Sequence, residues 1–292
     1  MRIYDCFTFF NELDLLEFRL RLLDPVVDFF VLAESNITHS GKPKPFYYKE
    51  NESRFAKWAH KIIYIPALQD STGMQFGVDD KYNPGSDAWK LENEHRNFLS
   101  QMRDRVEDND MVILSDLDEM PNPYALKAIG TPAAPQALSM LFHYYFLNCQ
   151  NTGYERWWKG SIVCSGADYK ANPAQHFRDR RNDFPAVPEA GWHFSFIGGI
   201  EKIRQKLQAF AHREFATEEY WSDANIIRAM EKGEDIFKRP GVTYKFYPLC
   251  WYPAFLAELM QQYPALLHIP PTDFIRDTGF HIRRLFKGKN KA

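Results

Sequence analysis

Val112–Pro123 reads VILSDLDEMPNP, four apolar or small residues running straight into three carboxylates and then two prolines. A short apolar run bounded by turn residues is the mark of a buried strand. Acids are costly to remove from water, so a core strand that ends in Asp116, Asp118 and Glu119 presents them to a partner or a ligand. The surrounding chain says what kind of sheet this strand belongs to.

Upstream, IYDCFTFF (Ile3–Phe10), VVDFFVLAES (Val26–Ser35) and KIIYIP (Lys61–Pro66) read as strands. Between the first two lies NELDLLEFRLRLLD, with Asn11 as the expected N-cap, Asp14 three residues on, and Leu13, Leu16, Leu20 and Leu23 at helical spacing. A second helix is expected from Asp87 to about Val106, burying Leu91, Phe98, Met102 and Val106. Alternation of strands and helices predicts an open, mixed but mostly parallel α/β sheet, and such sheets bind ligands beyond the carboxyl ends of their strands. Asp116 to Glu119 stand at such an end. Farther on, ALSMLFHYYFLN (Ala137–Asn148) and GSIVCS (Gly160–Ser165) are strand-like. GWHFSFIGG alternates strictly, and IEKIRQKLQAFA is helical with Ile200, Ile203, Leu207 and Phe210 on one face. No linker or repeat divides the chain, so one domain is expected over residues 1–275.

Composition narrows the class. The 292 residues are 45% hydrophobic with a net charge of −2, which gives no electrostatic case for nucleic acid. The four cysteines, Cys6, Cys149, Cys164 and Cys250, lack metal spacing and read as reduced, buried thiols of a cytoplasmic protein. No apolar run approaches 18 residues. The last 17 residues, 276–292, carry six Lys or Arg against one Asp, interleaved with Phe280, Ile282, Leu285 and Phe286. They read as a solvated tail or as a segment drawn to the inner, anionic face of a membrane.

On an extended segment Asp116 and Asp118 point to one side, and paired carboxylates repel unless a cation joins them. A hard ion such as Mn²⁺ or Mg²⁺ takes carboxylate oxygens and shares its other positions with a diphosphate. A solvated acidic turn is the plainer alternative.

SDLDEMP resembles the D-x-D-E-[IM]-P segment of glycosyltransferase family 17. Phe10–Pro45, with its E-x-D-L-L-[DE]-x-R helix and E-S-N-x-T strand end, resembles that family's N-terminal block. AGWHFSF (Ala190–Phe196) and WSDANIIRAM (Trp221–Met230) resemble later blocks in the same order. The resemblance implies a GT-A-like fold and a D-x-D-held Mn²⁺ or Mg²⁺ on a UDP-sugar, UDP-GlcNAc by family. It implies inverting transfer to a hydroxyl of a glycan or lipid-linked acceptor. Asp118 would be the direct metal ligand and Asp116 would share the metal or hold the ribose.

Other residues are weighed beside these. Glu34 and Asn36, at the end of the second strand, suit uridine or ribose recognition, or a plain cap. Glu92 and Arg96, one helical turn apart, form a surface pair or let Arg96 reach a diphosphate. His193, opposite the face shared by Trp192, Phe194 and Phe196, is expected to complete the metal shell, with His212 a weaker competitor. Among Glu189, Asp168, Glu201 and Asp223, the catalytic base is placed at Asp223 or Glu189. Arg178, Arg180 and Arg181 read as a solvated loop sooner than a phosphate cradle. The loop Gln69–Trp89 is long enough for a lid. A sugar-1-phosphate nucleotidyltransferase is the nearest rival, although FTFFNELDLL lacks the glycines its phosphate loop needs. An inactive glycan-binding protein of the same fold is the other.

Overall fold

The computed structural model describes residues 1–79 and 81–268. Strand β1 (Ile3–Phe9) leads into helix α1 (Leu13–Leu23), β2 (Phe29–Ser35), the short α2 (Tyr47–Glu50), β3 (Ile62–Ala67) and α3 (Asp87–Asn97). Then come β4 (Met111–Asp116), β5 (Glu119–Pro121), α4 (Pro123–Ile129), β6 (Gln136–Tyr144), β7 (Cys149–Asn151), β8 (Trp157–Trp158) and β9 (Ile162–Ser165). The chain continues through α5 (Gly166–Ala171), α6 (Ala174–Asp179), β10 (Ala186–Ser195), α7 (Gly199–Ala209), α8 (Glu218–Trp221), α9 (Asp223–Lys232), β11 (Tyr244–Phe246) and α10 (Ala254–Met260).

These strands form one mixed sheet in the order β11-β7-β6-β9-β4-β1-β2-β3, with β10 paired to β5 and β6 and β8 to β6. The half β4-β1-β2-β3 is parallel throughout, as the nearly continuous apolar runs require of strands covered on both faces. Across β4 the antiparallel β9 reverses direction, and β6 and β10 again run parallel to each other. This is the mixed α/β sheet expected from the sequence.

Alternation sorts the two faces. Phe7, Phe9, Phe30 and Leu32 meet Leu16, Phe18, Leu20 and Leu23 of α1 in one layer. Tyr4, Cys6, Val31 and Ala33 face Leu99, Met102, Tyr169 and Phe177 in the other. A third cluster, with Phe142, Tyr144, Ile203, Leu207 and Ile226, sits where β6 and β10 meet α7 and α9.

Several expectations need correcting. Glu12, not Asn11, is the N-cap of α1, because the Asn11 amide turns to donate to Gln205 at 3.0 Å. The helix expected to reach Val106 stops at Asn97 and tightens into a 3₁₀ stretch over Phe98–Arg105, which still buries Leu99 and Met102. The strand expected through Asn148 ends at Tyr144, since Tyr145 turns to a φ of 65°. Phe196 leaves the face of Trp192 and Phe194, because its φ of 55° swings it into the third cluster. Three cysteines are buried, but Cys250 is exposed. Among the described residues no helix is long and apolar enough to cross a membrane. The basic segment 276–292 lies outside the described residues.

Candidate functional site

The site is built where β4 stops. Val112, Leu114 and Asp116 point to the α3–α6 side of the sheet, and Ile113 and Ser115 point to the α1 side. Regular strand geometry ends at Asp116 and Leu117–Asp118 form a turn before β5. Asp116 and Asp118 therefore do not share a side, contrary to the expectation of an extended segment. Each is held by a different set of cations.

A fully buried arginine shapes this turn. Arg19 of α1 grips Asp5 with Nε and Nη2, at 2.8 and 2.6 Å, and Ser115 Oγ at 2.6 Å. Its Nη1 donates to the carbonyls of Asp116, Leu117 and Glu119 at 3.1, 2.9 and 2.7 Å. A guanidinium cannot lose its proton, so burying it demands this full set of acceptors.

Asp116 lies in a cage of two arginines. Its Oδ1 accepts from Arg96 at 3.0 Å and from Thr8 Oγ1 at 3.1 Å, and Oδ2 accepts from Arg178 at 2.7 Å. The two guanidiniums hold its carboxyl well below the usual carboxylate range, against the upward push of burial. Arg96 also binds Glu92 at 3.1 Å and Gln175 at 2.6 Å and is 4% exposed, so the helical pair is a buried bracket on Asp116.

Glu119 is buried completely. Its Oε1 accepts from Trp158 Nε1 at 2.6 Å and Arg178 Nη1 at 2.7 Å; Oε2 accepts from Ser161 and from the Asp116 N–H. Arg178 is thereby locked between two acids, stacked 5.4 Å over Trp158, and held more basic than an ordinary arginine mainly by Asp116 and Glu119. Arg181 lies 5.8 Å over the same ring and has no carboxylate ion pair among the described residues. Burial, followed by the nearby Arg178 charge, lowers its basicity.

Asp118 takes the opposite direction. Lys206 Nζ of α7 sits 2.7 Å from Oδ2, and His193 Nε2 of β10 sits 3.3 Å from Oδ1. Burial raises its pKa, but Lys206 and then His193 outweigh that and hold the carboxyl well below its usual range. His193 stacks on Phe142 with centroids 4.6 Å apart and planes 8° from parallel, and Trp158 covers it at 4.9 Å. Its Nδ1 is buried without a hydrogen-bond partner.

The remaining expected residues fall outside this constellation. Glu34 is fully buried and already engaged by Lys44 at 3.3 Å, the Tyr48 N–H and the Tyr64 hydroxyl, so it braces α2 and offers nothing to a uridine. Asn36 clamps the backbone of Gln69, accepting at 2.8 Å and donating at 3.2 Å, and so pins the start of the long loop. The far end of that loop rests on the 210s, where Tyr82 and Trp89 pack against His212, whose Nδ1 is with Glu214. Glu189 lies on the β10 bulge with a φ of 51°, exposed and three β6 rungs before His193, roughly 10 Å away at about 3.3 Å per rung. Asp223 pairs with Arg204 in the first turn of α9 and is exposed. Arg204 and Lys206 are two apart on α7 and therefore face different ways, which puts Asp223 away from Asp118. Ser165 caps α5, accepting from the Asp168 N–H and donating to the Asp168 carboxylate, and Glu201 pairs with Arg204 at the surface.

Sequence reasoning passed over Arg19, Trp158 and Lys206, and read Arg178 as part of a solvated loop, where the structure turns it inward onto Asp116 and Glu119. Arg19 was visible as the last letter of the E-x-D-L-L-[DE]-x-R helix; Arg178, on a six-residue helix, had no periodicity to mark it as inward. Among the described residues no group of three His, Cys, Asp or Glu side chains is arranged to hold a metal. Asp118 and His193 form a two-donor edge whose 3.3 Å span is close to the ~3 Å between neighbouring ligands of an octahedral ion with bonds of ~2.1 Å. Asp116, engaged by Arg96, Arg178 and Thr8, has ion pairs to those two arginines and none to Lys206.

β-1,4-Mannosyl-glycoprotein 4-β-N-acetylglucosaminyltransferases of Rattus norvegicus and Homo sapiens are each 31% identical to this chain over 129 residues, 41% of it and 22% of their own length. The chain thus matches about a fifth of those relatives. Among solved structures, HddC from Yersinia pseudotuberculosis aligns at 12% identity and a TM-score of 0.38 over 64% of this chain and 90% of that one. Galactosyltransferase LgtC, in complex with donor and acceptor sugar analogs, aligns at 10% identity and a TM-score of 0.35 over 93% and 98%. The profile of glycosyltransferase family 17 matches residues 1–271, nearly the whole sequence and every part of the site just described, and the chain belongs to that family.

Proposed function

We propose that the protein is a glycosyltransferase that moves GlcNAc, or a similar hexosamine, from a UDP donor to a hydroxyl of a glycan or glycolipid, with inversion at the anomeric carbon. The observation that carries this reading is the buried acid–arginine cluster at the carboxyl end of the parallel strands. There Arg178 is fixed in place by Asp116 and Glu119, and Arg181 has no acid of its own. A diphosphate supplies the charge that Arg181 lacks, and a guanidinium meets phosphate oxygens two at a time.

Asp118 and His193 would hold a divalent ion, whose contribution when bound is to neutralise charge on the departing diphosphate. The chain's own residues do the rest. Arg178 and Arg181 bind and orient the diphosphate, and Asp116 with Glu119 keeps Arg178 from following the leaving group. Trp158 shields the site from water on the His193 side. The half-exposed Trp157 and the exposed Tyr154 next to it offer an apolar face for an acceptor sugar. The acceptor hydroxyl attacks the anomeric carbon from the face opposite UDP and gives up its proton to a base as it does so.

Calorimetric titration of UDP-GlcNAc with and without Mn²⁺ tests the reading. Wild-type protein should bind in a Mn²⁺-dependent way, and Asp118→Asn should lose that dependence. A folded wild-type protein that binds no UDP-GlcNAc with Mn²⁺ present would overturn it.

A further inference from the structure

A cavity of about 490 Å³ opens where α9 runs out against β11. Helix α9 stops at Gly233, whose φ of 65° turns the chain back and lays Glu234 beside Thr243; a Cβ there would press on the Tyr244 carbonyl. The volume falls in the range of small-ligand sites, ~300–1,000 Å³. Arg228, Lys238 and Arg239 face Glu234 and Asp235 across it.

These charges cancel in pairs. Arg239 donates from Nε and Nη2 to the two oxygens of Asp235, at 2.9 and 3.1 Å, and its Nη1 lies 2.9 Å from Glu155. Arg228 pairs with Glu234 at 3.1 Å and Lys238 with Glu219 at 2.8 Å. Of the lining cations only Lys232 lacks a carboxylate partner among the described residues. Walls of this kind hold little net charge for an ion, but they fix many donors and acceptors in place. They suit a ligand covered in hydroxyl groups, each of which both donates and accepts. Tyr244 adds a need of its own: it is 4% exposed, and its hydroxyl is buried with no hydrogen-bond partner. A ligand hydroxyl would supply one.

An aromatic face stands beside the cavity. Thr152 meets Thr243 hydroxyl to hydroxyl at 3.0 Å, and the ring of Tyr154, 70% exposed, lies so close to Gly241 that a Cβ there would come within 3.1 Å of it. The C–H face of a sugar ring packs on such a surface. The register of β11, β7, β6 and β10 puts Tyr244, Asn151, Phe142 and His193 in one row, on one face of the sheet. Three strand spacings set Tyr244 about 14 Å from His193.

We propose that the cavity between α9 and β11 binds a neutral sugar residue of a glycan acceptor, at a distance from the residue that reacts. Calling that glycan the acceptor rests on the transferase reading above; the binding of a neutral saccharide does not.

The test is saturation-transfer NMR of mannotetraose and chitotetraose with the full chain, with calorimetry for affinity. Wild type should bind at least one of them. Tyr244→Phe removes an oxygen that has no partner in the fold, so the Tm should not fall, yet saccharide affinity should weaken about threefold or more, the scale of one neutral hydrogen bond. Tyr154→Ala should weaken it by about as much through lost stacking. Tyr124→Ala removes another exposed tyrosine, packed on Phe255 of α10, and should change affinity by less than about twofold. Absence of binding to wild type overturns the proposal, as does binding that neither cavity variant weakens. Tetragalacturonate binding tenfold tighter than both neutral probes would overturn the neutral class. UDP-GlcNAc affinity, measured on the same samples, should be unchanged in both cavity variants. Loss of saccharide binding alone sinks the cavity proposal and leaves the donor reading; variant-sensitive saccharide binding without UDP-GlcNAc binding sinks the donor reading and leaves the cavity.

Discussion

Arg19 is a side chain that the β4–β5 turn depends on. It is entirely buried, and its six hydrogen bonds, two to Asp5, one to Ser115 and three to turn carbonyls, leave it no N–H donor to spare. Arg19→Met would leave Asp5 as an uncompensated buried charge and orphan the carbonyls of Asp116, Leu117 and Glu119. Loss of one partner of a buried pair costs about 3–5 kcal/mol, and that drop in unfolding free energy is expected in urea titration. A loss under about 1 kcal/mol would mean that water replaces the guanidinium and that the turn does not depend on it. At this scale the sequence was partly legible. Acids at the end of a buried strand pointed to the site, and Asp118 with His193 did come together. Asp116 and Asp118 parted because the strand stops between them, and a one-residue change in where a strand stops leaves no trace in residue spacing. Arg178 was misread for a related reason: what draws it inward is Glu119, which lies 59 positions earlier.

Among the elements, the segment between β8 and β9 is the tightest fit. A Cβ at Gly160 would overlap Arg178 Nη1 itself and two of its neighbours, Glu119 Oε1 and Trp158 Nε1. Gly160→Ala should cost about 1–3 kcal/mol by overpacking. It should also weaken UDP-GlcNAc binding, because Arg178 must move to make room; unchanged affinity by calorimetry would show that Arg178 does not contact the donor. The parallel half of the sheet was readable from its apolar runs, and α1 and α7 from their periodicity. The short β5, β7, β8 and β11, of two or three residues each, carry no period of their own. They are strands only because β10 offers an edge to β5, β6 to β7 and β8, and β7 in turn to β11, and this is why the second half of the fold was less legible.

For the molecule as a whole, two buried histidines set the acid limit. Burial holds His95 and His143 at a pKa of about 3, against 6.5 for an ordinary histidine, with His95 Nε2 donating to the Ala33 carbonyl, and with His143 Nδ1 donating to the Leu141 carbonyl and its Nε2 beside the Tyr252 hydroxyl. Below pH 6.5 the unfolded chain gains protons that the folded chain refuses, so stability falls as pH drops through the window from 6.5 to 3. By pH 5 each histidine should have withdrawn about 2 kcal/mol. Urea midpoints at pH 7 and pH 5 check this, and His143→Gln should flatten the slope. The caged Asp116 and Asp118, with depressed pKa values, act in the same direction only at still lower pH. Lastly, the hold of Arg19 on the β4–β5 turn spans 97 to 100 positions of chain. Such distant contacts are slow to close, because loop entropy is lost before they form. During synthesis α1 leaves the ribosome long before the turn it must grip, so its arginine waits in water until β4 arrives. The β4–β5 turn therefore becomes native only after α1 and β4 have come together.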